Sequence, residues 1–500
     1  MEVATKLMLF ATLGCFLIGF GGVMKPIMEA IFPPILAKQL EIKPGSFVYD
    51  TWKEVEIPVY MEFYTMGIGN PQEFLQGSPP YVVQKGPYTY REYRPKENVT
   101  HYDNYTVSYY QMKSYVFDED LSVGPDSEKF MTLNLAVFTI AHWLKDLPDG
   151  IQDLWKLVHQ LSGAEPLMEL SIAELMWGYD DPYLVLAQQI LGEDRVPSTK
   201  FGLFLNVNNT DDGLWNVFTG VDDINKVAKI DTWDGMSSLT WWNSEWANMI
   251  NGSDGSQQHP YIKKSELLYN FVPVACRSGY GVFEKETRIA DTPTWSFVAP
   301  PDMFASPDIN PDNIGFCVSN NNTCPPGGLI DGSPCYFNAP VYLSMPHFLY
   351  GDESLFEMCH GLSPNKEEHQ IVFNVDPLSG LTFNGHLRAQ MSLRVQAYDY
   401  IDGTQFINEA YLPVVWLNET YTIPQHEADL YKKNINLATY LTLTIMCVTI
   451  FGGIGILFGV LISWYRNRKL SEEQLPFNSN KPHISKSGHE EVDIYEKATL

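Results

Sequence analysis

The chain has 500 residues, is 45% hydrophobic and carries a formal net charge of −27 at pH 7. A surface that acidic repels nucleic acid and anionic lipid head groups, which argues against partners recruited by basic charge. About four hundred residues separate two uncharged apolar stretches at the ends, which is enough for a large core.

The first stretch, Leu7 to Met24, holds no charged residue and has the roughly 18–20 residues that a helix needs to cross a bilayer. A secretory signal starting at Lys6 is the alternative reading. Against it, the run exceeds the roughly 7–15 residues of a signal core, and no small-x-small cleavage site follows. The next residues, KPIMEAIFPPIL, read as a continuing helix. Strand patterns follow around Tyr88 (PYTYREYRP) and Val107 (TVSYYQ), with Gly, Pro, Asn and Asp as turn markers.

Helical patterns cluster from Met131 to Leu191. Ile151, Leu154, Trp155, Val158 and Leu161 fall at helical spacing, and Ser171 with Glu174 predicts a capping box. Phe138, Trp143, Trp155, Val158 and Leu161 are candidates for an exposed apolar ligand surface. The competing expectation is a helical subdomain that packs these residues into its own core.

Strands resume around Val372, and Leu387 to Ala397 alternates at every step, which predicts a half-buried antiparallel strand. The second apolar stretch, Leu437 to Tyr465, contains Gly455, Gly459 and Ser463, a small-xxx-small row suited to close helix packing. Arg466, Arg468 and Lys469 follow it at once, a cytosolic-side signature.

The expected organisation is therefore a cytoplasmic N-terminus over 1–6 and transmembrane helices over 7–24 and 437–465. A glycosylated ectodomain occupies 25–436, with an apical helical region at 131–191, and a cytoplasmic tail occupies 466–500. Six Asn-x-Ser/Thr acceptors lie in the loop, at Asn98, Asn104, Asn208, Asn251, Asn321 and Asn418. Five cysteines lie there too, Cys276, Cys317, Cys324, Cys335 and Cys359, as expected for a disulfide cluster in an oxidising compartment. An odd count leaves one thiol over. The tail holds six basic and six acidic residues and the first 24 residues one of each, so the whole net charge belongs to the ectodomain. The sequence shows no metal-ligand spacing, nucleophile elbow or phosphate loop, so a cofactor-free protein that is not an enzyme is expected.

Many collinear strings carry a resemblance. They include FGGVMKP, NPQEFLQG, QKGPYTYREYRPKENVT, LSVGPDSEKFMTLNLAV, VNNTDDGLWNVFTG, ACRSGYGVFE, FASPDINPDNIGFC, PHFLYGDESL and PVVWLNET. In these the chain resembles the class B scavenger receptors, the family of the fatty-acid translocase, the lipoprotein scavenger receptor and the lysosomal integral membrane protein. FASPDINPDN and VVWLNET look nearest to the fatty-acid translocase branch.

The resemblance implies an α+β membrane protein. Its ectodomain would be a large antiparallel β-barrel with an apical helical bundle, anchored by N- and C-terminal transmembrane helices. It also implies a hydrophobic tunnel. Such a conduit removes the cost of exposing a lipid chain to water, about 0.8 kcal/mol per methylene. The implied partners are lipids, fatty acids and lipoproteins, at the plasma membrane with both termini cytoplasmic. A recognition or adhesion receptor and a lysosomal enzyme carrier or cholesterol exporter are the alternatives. SEEQLPF places Pro476 after Leu475 and so lacks an acidic dileucine signal, which weighs against the lysosome.

The resemblance also pairs Cys276 with Cys335 and Cys317 with Cys324, and leaves Cys359 as a free thiol, expected to be alkylatable without reduction. A third family bridge would fall at Ala247 and Gly315, which hold no cysteine here. The apical stretch His159 to Leu175 lacks the lysines of the fatty-acid translocase and carries Glu165, Glu169 and Glu174, which weakens electrostatic capture of anions there. The end Ala498-Thr499-Leu500 resembles that of the lipoprotein scavenger receptor and suggests a PDZ-domain adaptor.

Overall fold

The computed structural model describes residues 2–54, 57–318 and 324–473. Asn321 and the terminal Ala498, Thr499 and Leu500 lie outside the described residues. The chain divides into two units, one of Met1–Ile31 with Leu437–Leu500 and one of Phe32–Asn436.

The larger unit is built on one antiparallel sheet. Its main strands in chain order are β1 (Val59–Ile68), β2 (Val82–Tyr93), β3 (Thr106–Asp118), β4 (Thr210–Phe218), β5 (Ile230–Trp233), β6 (Leu268–Val272), β7 (Arg277–Ile289), β8 (Thr292–Val298), β9 (Val372–Val375), β10 (Thr382–Val395) and β11 (Ala410–Thr422). They run β5-β4-β3-β2-β1-β11-β10-β9-β8-β7-β6. The sheet is thus two meanders joined where the first strand pairs with the last, Met61 opposite Glu419 and Phe63 opposite Leu417.

The two outer edges are closed through a single linker. Ile230 N donates to Gly252 O at 2.9 Å, Ser253 N to Tyr269 O at 3.2 Å, and Phe271 N to Ser253 O at 3.0 Å. Among the described residues this linker pairs with both edge strands, so neither is left as a long unpaired edge. Gly252 sits at φ +87°, and a Cβ there would stand 1.9 Å from Tyr269 O, so the seam needs glycine.

β10 departs from the expected half-buried strand. It ends at Val395 rather than Ala397, and both of its faces are buried. Met391, Leu393 and Val395 join the core on one face. Arg388, Gln390 and Ser392 on the other are covered by the segment before β9. His347 N donates to Gln390 Oε1 at 2.8 Å, and Arg388 Nη1 donates to Gln370 O at 2.7 Å and Glu367 O at 3.0 Å. Polar alternation here reflects hydrogen bonding to a covering loop, not exposure to water.

Between β3 and β4 the chain leaves the sheet to form helices at Leu135–Leu144, Asp149–Ser162, Ile172–Trp177 and Pro182–Leu191. The first is buried nearly all round. The third opens on the expected capping box, Ser171 Oγ accepting from Glu174 N and Glu174 Oε2 accepting from Ser171 N.

In the smaller unit, parts of the terminal helices Glu2–Leu40 and Gln425–Glu473 pack together, and both are long and apolar enough to cross a membrane. Their contact does not use the expected row. A Cβ on Gly14 would stand 3.0 Å from Gly453 O, and one on Gly21 2.6 Å from Thr449 Oγ1. Gly455 and Gly459 have nothing within 4 Å. At about 100° per residue, Gly453 and Gly455 lie on nearly opposite sides of the helix, so only one of them meets the partner.

Candidate functional site

The barrel interior holds a cavity of about 680 Å³, within the range of small-molecule sites. Alternation along the central strands aims Val59 and Met61, Leu387, Ala389 and Met391, and Leu417, Glu419 and Tyr421 at it. Phe373, Phe383, Trp52 and Trp241 widen the apolar wall.

Part of that wall is charged. Arg94 Nη2 lies 2.6 Å from Glu419 Oε1 and 2.9 Å from Glu92 Oε2. Lys113 pairs with Asp212 at 3.0 Å, and Lys96 with Asp254 at 3.7 Å. Lys96 Nζ also stands 5.2 Å from the ring centroids of Trp52 and Tyr109. Burial pushes the Glu92 carboxyl up. For Glu419 burial acts the same way but is outweighed by Arg94 and Lys113, which hold its carboxyl below the usual range. No signal in the sequence distinguished these charges, because Glu419, Asp212 and Asp254 are each brought to their cation from a distant strand or loop.

The candidate apolar surface separates into three groups. Phe138 is 0% and Trp155 1% exposed, so both are core residues, which corrects their placement on a ligand surface. Trp155 Nε1 donates to Tyr183 Oη at 2.7 Å. Trp143 and Val158 are half-buried, and Trp143 Nε1 donates to Phe337 O and Asn338 O at 3.1 Å. Leu161 is 80% exposed, beside Leu154 at 52% and Leu157 at 54%. The physical reason is angular. Trp155 and His159 define the buried side of helix Asp149–Ser162, while Leu154, Leu157 and Leu161 lie well around its circumference from them. The apolar arc is wider than the arc the core covers.

Cys276 is bonded to Cys335 and Cys317 to Cys324, while Cys359 is free and buried. Burial pushes the Cys359 thiol up to about 12, which lowers its reactivity while the chain is folded. Ala247 and Gly315 are neighbours, a Cβ on Gly315 falling 2.9 Å from the Cβ of Ala247. Asn98, Asn104 and Asn251 are exposed and Asn208 is half-buried. Asn418 is buried in β11 with Nδ2 donating to Glu62 at 2.7 Å, and a glycan there would require the amide to leave Glu62.

A closed antiparallel barrel with a largely apolar cavity, in a chain ending in two apolar helices, defines a membrane-anchored protein with an interior suited to hydrophobic molecules. The sequence model of the CD36 family matches residues 12–464, and the chain belongs to that family. It is 35% identical to scavenger receptor class B member 1 of Bos taurus over 448 residues, 88% of this chain and 86% of that one. Against the Sus scrofa protein of the same name it is 34% identical over 445 residues, again 88% and 86%. It is also 35% identical to lysosome membrane protein 2 of Homo sapiens over 433 residues, 86% of this chain and 88% of that one. Near-equal identity to both kinds of relative means that overall similarity does not assign the compartment.

Proposed function

We propose that this chain is a cell-surface receptor that binds lipids or lipoproteins and passes fatty acid or sterol through the barrel cavity to the membrane. The observation that carries the reading is the cavity of about 680 Å³ among apolar side chains. Enclosing an alkyl chain there offsets its exposure to water by about 0.8 kcal/mol per methylene. The missing dileucine signal supports the cell surface, with both termini cytoplasmic and the PDZ-type end as an adaptor contact.

The test is uptake of fluorescent fatty acid and of lipoprotein-derived cholesteryl ester by cells expressing the full chain or Leu387→Trp at equal surface density. Leu387 lines the cavity, and the indole would occupy part of it. Uptake that falls while particle binding persists supports a conduit. Uptake unchanged by Leu387→Trp sinks it.

A second reading, recognition of a protein or particle without transport, is favoured by the exposed Leu154, Leu157 and Leu161. It predicts binding that is lost when those leucines are replaced and is indifferent to the cavity.

A further inference from the structure

We propose that Arg277 is the anchor for a carboxylate in the barrel cavity, so that the cavity selects free fatty acids over neutral esters and sterols. This rests on the reading of the cavity as a lipid site and adds the residue that determines specificity within it.

Arg277 opens β7, lines the cavity and is 6% exposed. A guanidinium has five N–H donors and is always charged, so burying it without an anion is costly. Here Nε donates to Ser278 O and Nη1 to Met303 O, each at 3.3 Å, the long end of hydrogen bonding. Among the described residues no carboxylate lies within 4.0 Å of it and Nη2 has no hydrogen-bond partner, Nε and Nη1 making the two bonds just given. Its remaining support is aromatic, the Phe316 ring centroid lying 4.0 Å and the Phe304 centroid 6.0 Å from Cζ. Burial without a compensating acid pulls the guanidinium down to about 10.

The other cations on the wall are differently placed. Arg94, Lys96 and Lys113 each have an acidic partner, and Arg388 holds two backbone carbonyls at 2.7 and 3.0 Å. Arg388 also leaves Nε without a partner, but its two carbonyl contacts are short, whereas both contacts of Arg277 are long.

The position is also held and cleared. The preceding Cys276 is bonded to Cys335, which fixes the start of the strand. Two residues on, on the same face, Gly279 lines the cavity without a side chain, and a Cβ there would meet Met303 Sδ at 3.2 Å. A planar carboxylate matches the guanidinium fork in two parallel hydrogen bonds, and its alkyl chain would continue along the apolar wall. An ester or sterol offers no negative oxygen pair and leaves the guanidinium unpaired.

The test uses the full chain in phosphatidylcholine nanodiscs, with cis-parinaric acid and its methyl ester as probes, cholesterol as competitor and empty nanodiscs as background. Trp52, Trp233 and Trp241 line the cavity, so energy transfer from tryptophan reports occupancy. The expected result is a preference of the wild type for acid over ester by at least about tenfold. Arg277→Gln abolishes the preference and leaves ester affinity in place, while Arg277→Lys keeps part of it. Equal affinity of the wild type for acid and ester overturns the assignment, as does a preference that survives Arg277→Gln. Should Arg277→Gln fail to fold, the wild-type ratio and Arg277→Lys still decide. If acid, ester and sterol all fail to bind, the lipid reading of the cavity falls with it.

Discussion

Arg94 reaches 2.6 Å from Glu419 across 325 residues of sequence, inside the barrel, while also contacting Glu92. The pair links the end of β2 to β11, next to the place where the two meanders join. Removing the cation strands two buried carboxylates, which costs about 3–5 kcal/mol. Arg94→Met should therefore unfold at a clearly lower temperature than wild type, and Glu419→Gln, which leaves Arg94 with Glu92, should lose less. A wild-type midpoint for Arg94→Met would show that the network contributes nothing net.

Acid should destabilise the larger unit through two stacked imidazoles. His347 and His369 lie 4.4 Å apart between ring centroids, and burial pulls each down to about 4. His347 Nδ1 accepts from Ser363 N at 3.0 Å and His369 Nδ1 from Asn365 N at 2.9 Å, so protonation there would set one N–H against another. Because the folded values lie below the unfolded one near 6.5, the unfolded chain takes up protons first. Their contribution is complete above about pH 6.5 and is lost as pH falls toward 4, at up to about 1.4 kcal/mol per pH unit for each histidine. Thermal unfolding at stepped pH should show this slope, reduced in His347→Gln. A midpoint flat from pH 7 to pH 4 contradicts it.

Peptide mapping without reduction should recover Cys276 joined to Cys335 and Cys317 joined to Cys324. Cys359 should resist iodoacetamide in the native chain and react after denaturation alone, because its thiol is buried at 1% exposure. A bridge between Cys359 and any other cysteine would contradict the pairing.

Helix Asp149–Ser162 offers a contrast of two faces. Leu154→Asp and Leu161→Asp should change stability by no more than about 0.5 kcal/mol, since both side chains face water. Trp155→Ala, one residue from Leu154, should cost about 3–5 kcal/mol. Loss of particle binding by the leucine variants at unchanged stability would favour the recognition reading, and unchanged binding would set that face aside.

What was legible in the sequence was set by nearby residues or by composition. The two terminal helices follow from uninterrupted apolar runs, the capping box from Ser171 and Glu174 three residues apart, and the family from many collinear strings. Those signals are complete within a window, because a helix turn or a membrane span is a local requirement. The tertiary structure alone decided the rest. Whether Trp155 or Leu161 faced the core depended on which arc of the helix the barrel covered. Whether Arg388 and Gln390 met water depended on a loop folding back over β10. Whether Arg94 reached Glu419, and Arg277 no acid, depended on strands far apart in sequence. Burial and pairing are properties of surroundings, and the chain closing into a barrel, first strand against last, assembles those surroundings.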